Sequence, residues 1–131
     1  ACSPYLVELL TGNPGMIDEL LDSLLLDRLP QYSELESELT ELCRNADDIE
    51  PILLSFRNFN HLRVGVRDIL GKESIVNTHA TLSDIAEVCL RQVIQHEYRR
   101  LIRRYGVPML ESGERGGEIC DFTIIALGKL G

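Results

Sequence analysis

The chain has 131 residues, of which 44% are hydrophobic and 26% charged, a size and mix that fit one globular domain and argue against whole-chain disorder, collagen or a coiled-coil rod. With 21 acidic against 13 basic residues and a net charge of −8, it lacks the cationic footprint that phosphate neutralisation requires, and no nucleic-acid partner is expected. No apolar run approaches the roughly 20 residues needed to span a bilayer and Ala1 does not open a signal segment, so no membrane partner is expected.

Aromatic residues make up only 5% and Trp is missing, which predicts an aliphatic core. Cys2, Cys43, Cys89 and Cys120 are scattered, with no CxxC pair and no His at ligand spacing. Cys43 and Cys89 fall on apolar helix faces and read as small hydrophobes, a reducing cytoplasm fits the set, and no metal site is expected. Charge divides the chain: residues 1–50 carry 12 acids and 2 bases, residues 51–131 carry 9 acids and 11 bases. The front reads as a solvated acidic helical surface, or more sharply as a docking surface for a basic partner.

Ser3-Pro4 sets a cap and a first-turn proline, and Tyr5, Leu6, Leu9 and Leu10 follow at helical spacing up to Gly12. Asn13-Pro14 repeats the device ahead of Met16, Ile17, Leu20, Leu21, Leu24 and Leu25, a second helix that stops before Pro30. Ser33 with Glu36 spells a capping box for a third helix over about 34–44. Asp47 and Asp48 then sit where a helix start favours negative charge, and the pattern runs to Gly71. This fourth helix has the seam Ile49, Ile52, Phe56, Phe59, Arg63, Val66 and Leu70. Arg63 interrupts that seam, and its guanidinium needs a carboxylate, for which Asp68 and Glu87 are the candidates; the alternative is a contact with a ligand or neighbouring domain.

Residues 72–80 read as a connecting loop, and Thr81 with Asp84 as the capping box of a fifth helix to about Tyr105, with Leu82, Ile85, Ala86, Cys89, Val93, Leu101 and Ile102 inward. Two long helices of matching length joined by a short loop should pack antiparallel. Arg99, Arg100, Arg103 and Arg104 complement the dipole at that helix's end, or form a phosphate or acidic docking surface. From Gly106 to Glu118 the apolar period gives way to Gly, Pro, Ser and charge, a linker or long loop, after which Phe122 to Leu127 read as a strand broken by Gly128-Lys129-Leu130-Gly131. A strand followed by a glycine turn is how a phosphate-binding loop begins. The expectation is therefore an all-α bundle with two long antiparallel helices and shorter N-terminal ones over 1–108. Residues 109–131 form a linker and the first strand of a truncated α/β domain.

No catalytic constellation stands inside the chain: His61, His79 and His96 are isolated, and no Gly-x-Ser-x-Gly or Walker pattern occurs. His79 reads as a plain loop residue.

Pieces spread over most of the chain nevertheless share an order and spacing. They are Ser3-Pro4-Tyr5-Leu6, Asp18-Glu19-Leu20-Leu21-Asp22, Phe56-Arg57-Asn58, Leu62-Arg63-Val64, Asp68-Ile69-Leu70-Gly71, Leu82-Ser83-Asp84-Ile85-Ala86-Glu87, Arg104-Tyr105-Gly106-Val107-Pro108 and Ile125-Ala126-Leu127-Gly128-Lys129-Leu130-Gly131. In these the chain resembles the bifunctional glutamine synthetase adenylyltransferase/deadenylase family, also called glutamate-ammonia ligase adenylyltransferase. The resemblance implies that Gly128, Lys129 and Gly131 belong to an incomplete nucleotide-binding loop of a polymerase-β-type nucleotidyltransferase domain. It further implies ATP and Mg²⁺ as cofactors of the parent enzyme, with the acidic metal pair beyond Gly131. The chain alone would then hold no cofactor and no catalytic residue.

The family is a tandem duplication that adds AMP to glutamine synthetase and removes it, under control of the PII signalling protein and glutamine. The segment looks more like the one before the second, adenylylating copy. The resemblance makes glutamine synthetase, PII and the neighbouring nucleotidyltransferase domains the expected partners, with Arg63, Asp68 and Glu87 as candidate interdomain or regulatory contacts. The rival reading is a non-catalytic spacer or docking bundle in which Gly-Lys-Leu-Gly is merely a turn.

Overall fold

The computed structural model describes residues 3–25, 28–111 and 117–126. Within them the chain forms five helices: α1 Pro4–Gly12, α2 Met16–Leu25, α3 Tyr32–Leu42, α4 Glu50–Ile69 and α5 Ile75–Tyr105. The all-α expectation holds. Helix α4 lies at the centre and packs against each of the other four, while α3 and α5 also pack on each other.

Two apolar clusters flank α4. One joins Leu35 and Leu39 of α3, Phe56 and Val64 of α4 and Ile85 and Val88 of α5; the other joins Leu6, Met16 and Leu20 of α1 and α2 to Leu62. The seam expected on α4 is accordingly split: Ile52 and Phe56 serve the first cluster, Phe59 and Val66 the second, and Leu70 is 56% exposed. A helix packed against several neighbours in different directions has no single apolar stripe. Of its six buried positions, Phe56, Asn60, Arg63 and Arg67 follow a four-three-four spacing that is mostly polar, and Leu62 and Val64 lie to either side of it.

Two expected boundaries move. Helix α5 begins at Ile75, not Thr81, and runs 31 residues against 20 for α4, so the two are not of matching length. Ser74 Oγ accepts from the Asn77 N–H at 3.1 Å and caps it. Thr81 therefore lies buried inside the helix, and His79 is helical too, not part of a loop. The buried face of α5, Thr78, Thr81, Ile85, Val88 and Gln92, keeps a three-four spacing. Threonines at one end and a glutamine at the other hid it from an apolar count, and Val93 and Leu101, expected inward, are exposed. Helix α3 starts at Tyr32, so Ser33 is already helical; the N–H that finds a carboxylate is that of Gln31, on Glu34 Oε2 at 2.8 Å.

The turn between α4 and α5 needs a positive φ at Gly71, 65°. It is fastened by Arg67, whose Nε donates to Glu73 Oε1 at 2.7 Å with both side chains buried. At the other end Gly106 stops α5 with a φ of 84°. The stretch after it is less open than a plain linker. Met109 and Ile119 form an antiparallel bridge, and Cys120 N–H donates to Pro108 O and Leu110 N–H to Glu118 O, each at 2.9 Å.

Residues 122–126 form no strand, contrary to expectation; Leu127 lies outside the described residues. A strand exists only when another backbone pairs with it. Here the segment lies beside α5, with Phe122 against Tyr98 at 5.5 Å between ring centroids.

Removing one partner of a buried ion pair leaves its mate desolvated, so Glu73→Ala is expected to destabilise the chain by about 3 kcal/mol. Arg44→Ala, which breaks only the solvent-exposed pair with Glu41, should cost under about 1 kcal/mol. Urea unfolding of the two variants makes the comparison.

Candidate functional site

The three residues singled out around Arg63 do not form one site. Arg63 is buried on α4, 8% exposed, and neither Asp68 nor Glu87 pairs with it. Burial pushes its pKa below the usual guanidinium value, with Arg67 adding to the push, while Glu38 and Glu34 across on α3 act in the opposite sense. A helix places residue 68 well around the axis from residue 63, and Glu87 belongs to a different face of the bundle.

Arg28, after α2, meets the start of α3 through a two-pronged pair: Nη1 and Nη2 donate to Glu34 Oε2 and Oε1, each at 2.6 Å. That fork and the Gln31 N–H hold the Glu34 carboxyl down at about 2.

Glu87 lies in a hollow of about 450 Å³ between α5 and the C-terminal segment, lined among others by Leu90, Arg91, Ile94, Phe122 and Ile124. Its Oε1 accepts from the Tyr32 hydroxyl and from Arg91 Nη2, both at 3.2 Å, and the Arg91 guanidinium sits 5.8 Å from the centre of the Tyr32 ring. Burial, and then Glu87, pushes the Tyr32 hydroxyl pKa up. This knot ties α3 to α5 at the place where the extended segment crosses.

Asp68 belongs to a second hollow, about 430 Å³, between α1, α4 and α5. Its Oδ1 accepts from the Thr78 hydroxyl at 3.1 Å. On the opposite wall the Tyr5 hydroxyl and His61 Nδ1 are 2.9 Å apart, and burial, helped by Arg57, pushes the imidazole pKa down. Nothing in the sequence pattern could have joined Tyr5 to His61, because the pair is made only when α1 folds onto α4.

Gly128, Lys129 and Gly131, the incomplete phosphate loop, lie outside the described residues. Among the described residues no three His, Cys, Asp or Glu side chains stand together to hold a metal. Cys43 and Cys89 pack half-buried against the first apolar cluster, and burial pushes both thiols up, which suits packing and not nucleophilic use. No helix among the described residues is long and apolar enough to cross a membrane.

These features define an all-α bundle with a helical rod leading into a C-terminal extended segment, and without a catalytic cluster of its own among the described residues. The chain belongs to the glutamate-ammonia ligase adenylyltransferase family, whose profile matches residues 1–131. It is 34% identical to the bifunctional glutamine synthetase adenylyltransferase/adenylyl-removing enzyme of Acinetobacter baylyi over 98% of this chain. It is also 34% identical to the enzyme of that name in Methylococcus capsulatus over 100% of this chain, and 36% to that of Thioalkalivibrio sulfidiphilus over 98%. The chain spans about 14% of the length of these relatives. No solved structure matches it.

Glu34, with its folded value depressed below the unfolded one, contributes stability that is present above the ordinary carboxylate range. That contribution is lost as pH falls through about 2. Carboxyl-carbon NMR titration is expected to find Glu34 ionised down to that pH, and Arg28→Ala should return its midpoint toward the ordinary glutamate value of 4.5.

Proposed function

We propose that this chain is the helical control segment of an enzyme that adenylylates and deadenylylates glutamine synthetase. The observation that carries the reading is the family match along all 131 residues, in relatives whose names state that activity. In this reading residues 1–108 are a helical regulatory domain. Residues 109–131 are a linker and the entry to a nucleotidyltransferase domain, where ATP and Mg²⁺ are used by ligands beyond Gly131. The segment precedes the adenylylating copy, works in the cytoplasm and does no chemistry alone. Its partners are glutamine synthetase, the PII signalling protein and the adjoining catalytic domains.

The architecture suits coupling. Helix α5 is a rod of 31 residues, about 46 Å long at 1.5 Å per residue, and α4 covers only part of it. Its N-terminal half is clamped by α3 and α4, and the 122–126 segment lies along it from Tyr98, which meets Phe122, back to the hollow beside Glu87 and Arg91. Effector binding that shifts the clamp thereby shifts the chain leading into Gly128, a rigid-body route between sites that needs two arrangements of differing affinity.

In the parent enzyme, deletion of residues 1–108 is expected to leave adenylyl transfer running while the response to effectors falls at least about fivefold, the lower end of ordinary coupling. Phe122→Ala, which frees the segment from Tyr98, should weaken the response without the deletion. Effector control that survives both changes sinks the reading.

A further inference from the structure

The hollow between α1, α4 and α5 has no part in the coupling route, yet its walls are chemically selective. Leu6, Val64 and Leu82 give it an apolar floor. Leu6 is pressed so closely on α4 that a Cβ on Gly65 would stand 2.8 Å from its methyl carbons. One wall is the Tyr5–His61 pair, rings tilted with centroids 6.2 Å apart. Burial pushes the imidazole pKa below its ordinary value, which favours the uncharged ring.

The remaining charge lining the hollow is the carboxylate of Asp68. It makes no ion pair among the described residues: its hydrogen bond is to the neutral Thr78 hydroxyl, and the neighbouring Arg67 is turned to Glu73. Asp68 is exposed at the rim of the hollow, one residue before the end of α4, and although the carbonyls of Val66, Arg67 and Asp68 accept from the N–H groups of Leu70, Lys72 and Gly71, the negative end of the helix dipole adds to its charge. A carboxylate at a helix C-terminus is in the less favourable of the two positions, and a cation relieves both sources of negative potential at once. The volume is that of a small-ligand cleft, and an aromatic face beside it adds attraction for a cation.

We propose that this hollow is a binding site for a small primary ammonium compound with a compact apolar body, the cation held by Asp68 and the body lying on Leu6, Val64 and Leu82 beside Tyr5. An anion meets repulsion there. A neutral apolar molecule gains the floor but brings no counter-charge to Asp68. The site stands on this geometry alone and is independent of the adenylyl-transfer reading.

The test is an amide-shift NMR titration of the 131-residue chain at pH 7 with n-pentylamine and, in parallel, n-pentanol. The amine is expected to move the amides around Tyr5, Gly65, Asp68 and Thr78 and to bind about two- to fivefold more tightly than the alcohol, the measure of an ion pair at an exposed carboxylate. Asp68→Asn, which keeps an acceptor for Thr78, should erase that preference while leaving the dispersed amide spectrum unchanged. Ile69→Phe, a filling change at the exposed rim, should weaken both probes without touching the charge. Equal affinity for the two probes overturns the proposal. So does amine preference that persists in Asp68→Asn, or shifts scattered over the acidic surface of α3 instead of the hollow.

Discussion

Burying Arg67 beside Glu73 makes the rest of the bundle possible. Helix α4 packs against all four of the other helices, and the position that faces inward near its end carries a guanidinium. Outside water that charge is costly unless a carboxylate stands against it. Glu73 comes from the turn that follows, so satisfying the charge and reversing the chain are one event. Once the turn is pinned, α5 has to come back along α4, and Thr78 arrives within reach of Asp68.

The same constraint explains why the core is in two pieces. A polar stripe of Asn60, Arg63 and Arg67 runs down the middle of α4, and apolar side chains gather on either side of it. One cluster collects α3 and α5, the other α1 and α2. Leu35, Leu39, Leu62 and Ile85 are fully shielded, each contributing roughly 1.5–3 kcal/mol of hydrophobic stabilisation. The polar stripe confers little net stability and instead restricts how the helices can pair, since a slipped register would strand the guanidinium groups.

Much of the architecture was legible in the residues. The apolar repeats of α1 and α2, the Ser3-Pro4 opening, and the stops at Gly71 and Gly106 are local effects of sterics and capping, and they fall close to where the helices start and end. The first turns of α5 were not legible, because Ile75 and Val76 are exposed and Thr78 and Thr81 buried, the reverse of what an apolar count assumes. The pairing of Arg63 with Asp68 or Glu87 was misplaced for a related reason. Spacing along one helix says which residues share a face, and it does not say which neighbouring helix that face meets. Tyr5 and His61 were invisible as a pair, since 56 positions separate them.

By itself, then, the sequence determined the helical class, the punctuation of the elements, the acidic front and the family, all of which depend on local propensity, composition or ordered motifs. Tertiary structure alone decided which polar residues go inside, how α4 divides two cores, where Asp68 and Glu87 face, and that residues 122–126 lie on α5 without pairing as a strand. Those outcomes depend on contacts between residues far apart in the chain. The free energy of a buried charge or an unpaired backbone is set by whatever neighbour folding brings beside it.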